Sequence, residues 1–330
     1  MKSKKMLLTA LTALAFASGI TACGEKADFT IGILQPVEHL ALGAAREGFE
    51  AGLKEKLGDK TVEIKYYNAG GNDADLQLDA QTLVDACDLT FGIGTGAAQA
   101  LKNSSVSKGY TKPVIFSAVT DPVDAGLVAK ANEPEGFVTG TSDMNPVDDQ
   151  IALIKEIIPS VSKIGILYTV TEVNSVVQSN MAVAKATALG IETVVKTCNN
   201  SSDITSTAQA LVNDGVQAIY IPTDNNIAAN MNAVKSAADQ AHVLVMCGEE
   251  GMIKSGGHVT LSINYSDLGK QAGYMAAEIL LGNKTVAQSA VKYMTAAECT
   301  YVYSSKNVAD SGIEIPASVM SAHTWSDANA

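Results

Sequence analysis

Phe91-Gly-Ile-Gly-Thr-Gly-Ala-Ala-Gln-Ala-Leu101 leaves an apolar, strand-like run through Gly92, Gly94 and Gly96 and enters a helical pattern. The first amides of such a helix have no partner inside it and the helix dipole is positive there. An anionic group, a carboxylate above all, can therefore dock on Thr95, Gly96 and Ala97. As a nucleotide motif the segment is weak: it follows the third strand-like run, lacks the full G-x-G-x-x-G spacing and has no Walker lysine. Glycines that merely permit a tight strand-to-helix turn are an equal reading of the segment alone. Acidic and hydroxyl side chains recur at the ends of other runs, where open α/β sheets place ligands. Ser117, Thr120 and Asp121 end the fourth; Thr141, Ser142 and Asp143 open the second half; Thr223, Asp224 and Asn225 follow the seventh; Glu249 and Glu250 follow the eighth. Each alone fits a helix cap. Together they make a carboxylate-rich cleft facing one anion-binding helix start, and the complement of that surface is a zwitterion. An α-amino acid would put its carboxylate on the Thr95–Ala97 amides and its ammonium against Asp or Glu.

Catalytic chemistry has little to stand on. There is no H-E-x-x-H and no G-x-S-x-G, and the four histidines, His39, His242, His258 and His323, never cluster. His39, beside Glu38 after the first run, reads as a hydrogen-bonding or hinge residue before a general base. Trp325, the sole tryptophan, fits the packing of the closing segment. Cys87, Cys198, Cys247 and Cys299 form no C-x-x-C pair, so metal and redox roles lack support. Buried thiols are the simplest reading of them, with a Cys198–Cys247 bridge left open. No cofactor is expected. The formal charge of −12 argues against nucleic acid and against electrostatic adhesion to anionic lipid.

Such residues need a scaffold, and the chain alternates short apolar runs with helical patterns. Strand-like runs lie at Phe29–Leu34, Val62–Tyr67, Leu89–Ile93, Val114–Ala118, Ile164–Tyr168, Thr193–Thr197, Ala218–Pro222 and Val243–Cys247. Between them, residues such as 41–57, 74–85, 148–158, 176–189, 205–212 and 228–241 carry apolar side chains three and four apart. This alternation predicts an α/β fold with parallel sheets. Two open sheets are favoured over one barrel because a Gly, Pro, Asp and Thr-rich stretch, Asp121–Asp143, reads as strandless and as a crossover between lobes. Gly248–Gly257 reads as a second connector, and a final amphipathic helix follows at Asp267–Leu281. Several crossings make a hinge that closes on ligand.

The N-terminus declares a compartment. Lys2, Lys4 and Lys5 precede the uncharged run Met6–Ile20, and the small residues Thr21 and Ala22 precede Cys23. This order is a secretory signal peptide, and Ile20-Thr-Ala-Cys23 resembles a bacterial lipobox with Ile in place of the usual Leu. The resemblance implies cleavage before Cys23 and acylation of its thiol, an anchor of two or three acyl chains. This run of fifteen residues falls short of the roughly 20 that span a bilayer. Removing residues 1–22 leaves 308 of the 330 residues, and loss of three lysines and no acid takes the charge from −12 to −15. That length suits two domains.

Six motifs occur in order: Ile33-Leu-Gln-Pro-Val-Glu-His39, Thr90-Phe-Gly-Ile-Gly-Thr-Gly-Ala-Ala-Gln-Ala100, Ala118-Val-Thr-Asp-Pro-Val123 with Ala125-Gly-Leu-Val128, Val138-Thr-Gly-Thr-Ser-Asp143, Pro222-Thr-Asp-Asn225 and Gly248-Glu-Glu-Gly251. From about Phe29 to Leu281 the chain resembles the substrate-binding lipoproteins of ABC transporters associated with tryptophan and tyrosine uptake. The resemblance implies the periplasmic-binding-protein type I fold, with two Rossmann-like lobes and three hinge crossings. Residues 1–22 would be the signal peptide and 23–28 a lipidated tether. Lobe 1 would take 29–141 and about 258–285, and lobe 2 would take 142–257 with about 286–330 as a hinge-closing segment. Around the cleft it points to Gln35, Thr95, Gly96, Ala97, Asp121, Thr141, Asp143, Tyr168, Asp224, Glu250 and Tyr265. The partners it implies are a small solute, with an amino acid as the leading candidate, an ABC permease with its ATPase, and the membrane through the lipid anchor on the extracytoplasmic face. A monomer is expected. One departure is Thr95-Gly96-Ala97-Ala98 where the family usually has Thr-Pro-Ala-Ala; glycine adds an N–H and freedom that proline lacks. A ligand sensor of the same fold is the alternative, and an extracytoplasmic α/β enzyme is a more distant one.

Overall fold

Short apolar runs bounded by polar turns become strands when both their faces can be buried, and helices packed on each side of a parallel sheet supply that burial. The computed structural model describes residues 26–329; the leader and Cys23 lie outside them. The chain runs β1 (Phe29–Gln35), α1 (Leu40–Leu57), β2 (Val62–Asn68), α2 (Asp73–Ala86), β3 (Leu89–Ile93), α3 (Thr95–Lys108), β4 (Val114–Val119) and β5 (Val138–Ser142). It continues through α4 (Val147–Ile157), β6 (Lys163–Thr169), α5 (Val173–Ala188), β7 (Glu192–Cys198), α6 (Ile204–Asn213), β8 (Ala218–Ile221), α7 (Asn225–Ala228), α8 (Met231–Ala241), β9 (Leu244–Cys247), α9 (Glu250–Ser255) and β10 (Val259–Ile263). The last elements are α10 (Tyr265–Leu280), β11 (Lys292–Tyr293), β12 (Cys299–Tyr303), α11 (Ser305–Ser311), α12 (Ala317–Ala322) and β13 (Trp325–Asp327).

These strands form two sheets, ordered β11-β5-β4-β3-β1-β2 and β13-β12-β10-β9-β8-β6-β7. The β10–β12 pair is antiparallel. The chain passes between the sheets after β5, at Asn264 after β10, and between β11 and β12. Three differences from the sequence reading follow. Asp121–Asp143 is not strandless, since β5 lies within it beside β4. Its Val-Thr-Gly-Thr-Ser composition hides a strand, yet Gly140 is there for contact: a Cβ would lie 2.1 Å from the Phe116 carbonyl oxygen. Gly248–Gly257 does not cross between lobes; it carries α9, and the strands on either side share one sheet. Residues 259–263 therefore belong with the second sheet and 292–293 with the first, so these crossings fall later than the expected 258 and 286.

The α10 helix restarts the first lobe immediately after Asn264, and glycines hold it there. A Cβ on Gly269 would lie 1.9 Å from the Ala45 carbonyl oxygen, and one on Gly48 would lie 2.0 Å from that of Ser266. Helices α1 and α10 therefore meet backbone to backbone, which fixes Tyr265 at the start of α10 beside the hinge. Cys87, Cys198, Cys247 and Cys299 are all free, so the Cys198–Cys247 bridge is absent. Among the described residues no helix is long and apolar enough to cross a membrane.

Candidate functional site

The C-terminal ends of the strands in both sheets face one another, and the loops that leave them build two connected spaces. The outer is a cavity of ≈ 520 Å³ between Pro36, Thr95, Gly96 and Gln99 of one lobe and Thr169, Glu172, Asn174, Asn200, Asn225 and Asn226 of the other. The inner has room for about one water-sized group, ≈ 10 Å³, and its walls include His39, Ala118, Asp143, Thr223, Asp224, Glu249 and Tyr265. Asn174 and Asn225 belong to both. The lobes touch across this cleft: His39 Nε2 meets Asn225 Oδ1 at 3.1 Å, and the Thr120 and Thr223 hydroxyls lie 3.2 Å apart. Ala118 holds φ 56, rare for a residue with a side chain, where the register of β4 against β5 slips between Phe116 and Val119. The irregularity re-aims the end of β4 toward the inner chamber.

The anion-accepting half is the start of α3. Gly94 precedes it with φ 88, a conformation that favours glycine, and no side chain caps the helix. The Thr95 and Gly96 amides are thus left to whatever enters the cavity. The Thr95 hydroxyl is buried with no hydrogen-bond partner. A Cβ on Gly96 would meet only Leu76 Cδ2, at an ordinary contact distance of 3.7 Å.

The opposite half is acidic. Asp143 is buried and accepts hydrogen bonds from Tyr265 OH at 2.7 Å and Thr120 Oγ1 at 3.1 Å. Asp224 accepts from Thr169 N at 2.6 Å, Thr169 Oγ1 at 2.9 Å, Ser175 Oγ at 3.0 Å and Ile227 N at 2.9 Å, the last as the cap of α7. Glu172 accepts from Asn225 Nδ2 at 2.7 Å, Asn225 N at 3.0 Å and Asn226 N at 2.9 Å. Glu249 caps α9 through Met252 N at 2.9 Å and Gly251 N. Burial raises all four carboxyls above their ordinary range, Glu249 to about 8, and the neighbouring Asp224 charge adds to the effect at Glu172. Among the described residues no lysine or arginine lines either space. Four desolvated acids without a cation favour a ligand that brings one.

Of the residues anticipated from sequence, the structure brings Thr95 and Gly96 to the outer cavity and Asp143, Asp224 and Tyr265 to the inner chamber. Ala97 is fully buried and lines neither space. The others are placed differently. Asp121 Oδ1 closes a turn by accepting from Val123 N at 2.9 Å and Asp124 N at 3.0 Å. The Thr141 hydroxyl lies 2.9 Å from Ser117 Oγ and 3.3 Å from Leu268 O, tying β5 to α10. Gln35 braces its own loop through Val37 O at 2.9 Å. Strand alternation turns Tyr168 into the second-lobe core and leaves Thr169 on the cavity. Glu250 begins α9 while Glu249, the cap before it, takes the chamber wall. Glu172, Asn174 and Asn226 were missed, and Asn225 was read only as part of the cluster after β8. Their signal was available: Thr169-Val-Thr-Glu172 ends β6 as the other acidic clusters end theirs.

Residues 30–324 match the family model of ABC transporter substrate binding proteins. A tyrosine-binding protein of Clostridioides difficile (strain R20291) is 34% identical over 300 residues, 85% of each chain. Among solved structures, an ABC domain from Streptococcus pneumonia in complex with L-Trp matches with TM-score 0.83 at 32% identity, covering 90% of this chain and 98% of that one. The ligand-free, open structure of a Clostridium difficile substrate binding protein with adhesive properties is also 32% identical and covers 91% and 99%, yet its TM-score is 0.66. At equal identity, the better match to the liganded structure agrees with the contacts across the cleft. The two-sheet architecture is that of periplasmic binding proteins of type I.

Proposed function

Because the chain belongs to the family of ABC transporter substrate binding proteins, we propose that it is the non-catalytic, extracytoplasmic receptor of an importer. It captures a small amino acid-like zwitterion between its lobes and presents it to a membrane permease with its ATPase. The observation that carries this reading is the pairing of uncapped amides at the start of α3 with four buried carboxyls that face no protein cation. The tyrosine named for one relative and the L-Trp bound to another support an amino acid as the class. Closure removes water from the ion pairs and so strengthens them. Titration calorimetry with L-tyrosine, L-tryptophan and the other L-amino acids, each against its N-acetyl form, tests the reading. At least one free amino acid should bind, and acetylation should abolish its binding. A blocked form that binds equally would refute the ammonium half of the site.

The proposal extends to a lipid anchor at Cys23, supported by the order of Lys2–Lys5, Met6–Ile20 and Ala22-Cys23. In a Cys23→Ser strain the protein should leave the membrane fraction for a soluble or unprocessed pool. Unchanged acylation in that strain would end the idea.

A further inference from the structure

We propose that His39 Nδ1 is a ligand acceptor in the inner chamber, taking one N–H of the bound ammonium, an inference that rests on the zwitterion reading above. The argument begins with the tautomer. Glu172 Oε2 accepts from Asn225 Nδ2 at 2.7 Å, which fixes the Asn225 amide with its oxygen toward the other lobe. His39 Nε2 lies 3.1 Å from that oxygen and must therefore carry the hydrogen. Burial holds the imidazole neutral, its pKa lowered to about 4, so Nδ1 is a bare lone pair. That atom is buried and has no hydrogen-bond partner in the protein. The ring walls the chamber together with Asp143, Asp224 and Glu249.

The chamber therefore offers acceptors on several sides in a space the size of one water molecule. A primary ammonium, with three hydrogens radiating from one atom, matches it better than a hydroxyl or a quaternary amine. Glu172, Asn225 and His39 then act as one chain: the carboxylate orients the amide, the amide orients the imidazole, and the imidazole orients the ligand. The chain spans both lobes, so the acceptor is correctly set only when the cleft is closed.

Two substitutions separate the two ring nitrogens. His39→Gln can keep a donor near Asn225 but has no acceptor at the Nδ1 position; His39→Asn keeps an acceptor there but does not reach Asn225. Calorimetry with L-tyrosine, L-tryptophan or whichever L-amino acid binds the wild type most tightly should show His39→Gln weakened by about 10- to 100-fold, the range for a hydrogen bond to a charged group. His39→Asn should bind more tightly than His39→Gln. The deaminated form of the same amino acid, which has no N–H and adds no bulk to the chamber, should lose affinity in the wild type and lose about 10-fold less in His39→Gln, where one of the forfeited hydrogen bonds is already gone. A purely structural role would leave the deamination penalty unchanged, and that result would overturn the proposal. Wild type that binds no amino acid would instead refute the zwitterion reading itself. Nitrogen NMR of the ring decides the tautomer without any choice of ligand: an Nδ1–H form in the closed protein would overturn the proposal on its own.

Discussion

Asp143→Ala should weaken binding of the cognate amino acid by about 30-fold or more and lower the ligand-free melting temperature less than Asp224→Ala, which should largely keep its affinity. Both acids wall the inner chamber and both are buried. Their partners distinguish them. Asp143 receives two side-chain hydroxyls, from Tyr265 and Thr120 of the first lobe, and the rest of its charge is unanswered among the described residues. Removing the partner of a buried ammonium costs about 2–5 kcal/mol, and the lower end already corresponds to roughly 30-fold in Kd. Asp224 instead receives four donors from its own lobe, one of them the Ile227 amide it caps. Its loss removes an N-cap worth about 0.5–2 kcal/mol and leaves the Thr169 amide without its acceptor, at about 1–3 kcal/mol for a group left unsatisfied, while the Ser175 hydroxyl keeps Thr223 O at 3.2 Å. Thermal denaturation should therefore show Asp224→Ala lower by about 5 °C or more. Normal affinity in Asp143→Ala would move the ammonium toward Glu172, and Glu172→Gln would then carry the loss.

The half of the site that local rules govern was legible in the sequence. Gly92, Gly94 and Gly96 announce a strand-to-helix turn wherever they occur, and the free amides of α3 follow from helix geometry alone. The carboxylate half depends on which side chain each turn consumes. Asp121 and Thr141 have the right type and the right place at strand ends, yet the backbone nearby claims them. The choice of Glu249 over Glu250 is decided by the start of α9, a helix hidden in a segment whose glycines read as a loop. Glu172 becomes a site residue only because the start of α7 in the same lobe supplies it with three donors more than 50 residues away in sequence. The fold divides similarly. All eight apolar runs read from sequence ended within one residue of their strands, whereas β5 was hidden by Gly140 and β10 by its glycine-rich approach. The interlobe contacts of His39 and Thr120 are long-range and left no trace in local pattern.

Affinity should rise as the pH is raised from about 5 to 7.5, with protons released on binding. Burial holds the Glu249 carboxyl at about 8 and raises Asp143 and Glu172 in the same direction, so in the closed protein they keep protons that a solvated carboxyl loses near 4 to 4.5. For an acid raised in the folded state, the stabilisation is complete below the ordinary carboxyl pKa and is lost as the pH climbs through the raised value. Without ligand the melting temperature should therefore fall across this window. An incoming ammonium favours the ionised carboxyls, expels their protons and offsets the loss, so the stabilisation that ligand confers should grow with pH. The change amounts to at most about ten-fold in affinity per pH unit for each proton released. His39, held at about 4, titrates below the window and contributes little to it. Calorimetry in phosphate and in Tris should give different apparent enthalpies at pH 7, the difference measuring the protons released. Glu249→Gln can still cap α9 through its side-chain oxygen, and it should flatten both the pH slope and the buffer dependence. Equal enthalpies in the two buffers, together with affinity that does not change with pH, would mean that the carboxyls are already ionised before the ligand arrives, and the charge of the chamber would then be balanced by some means other than the ligand.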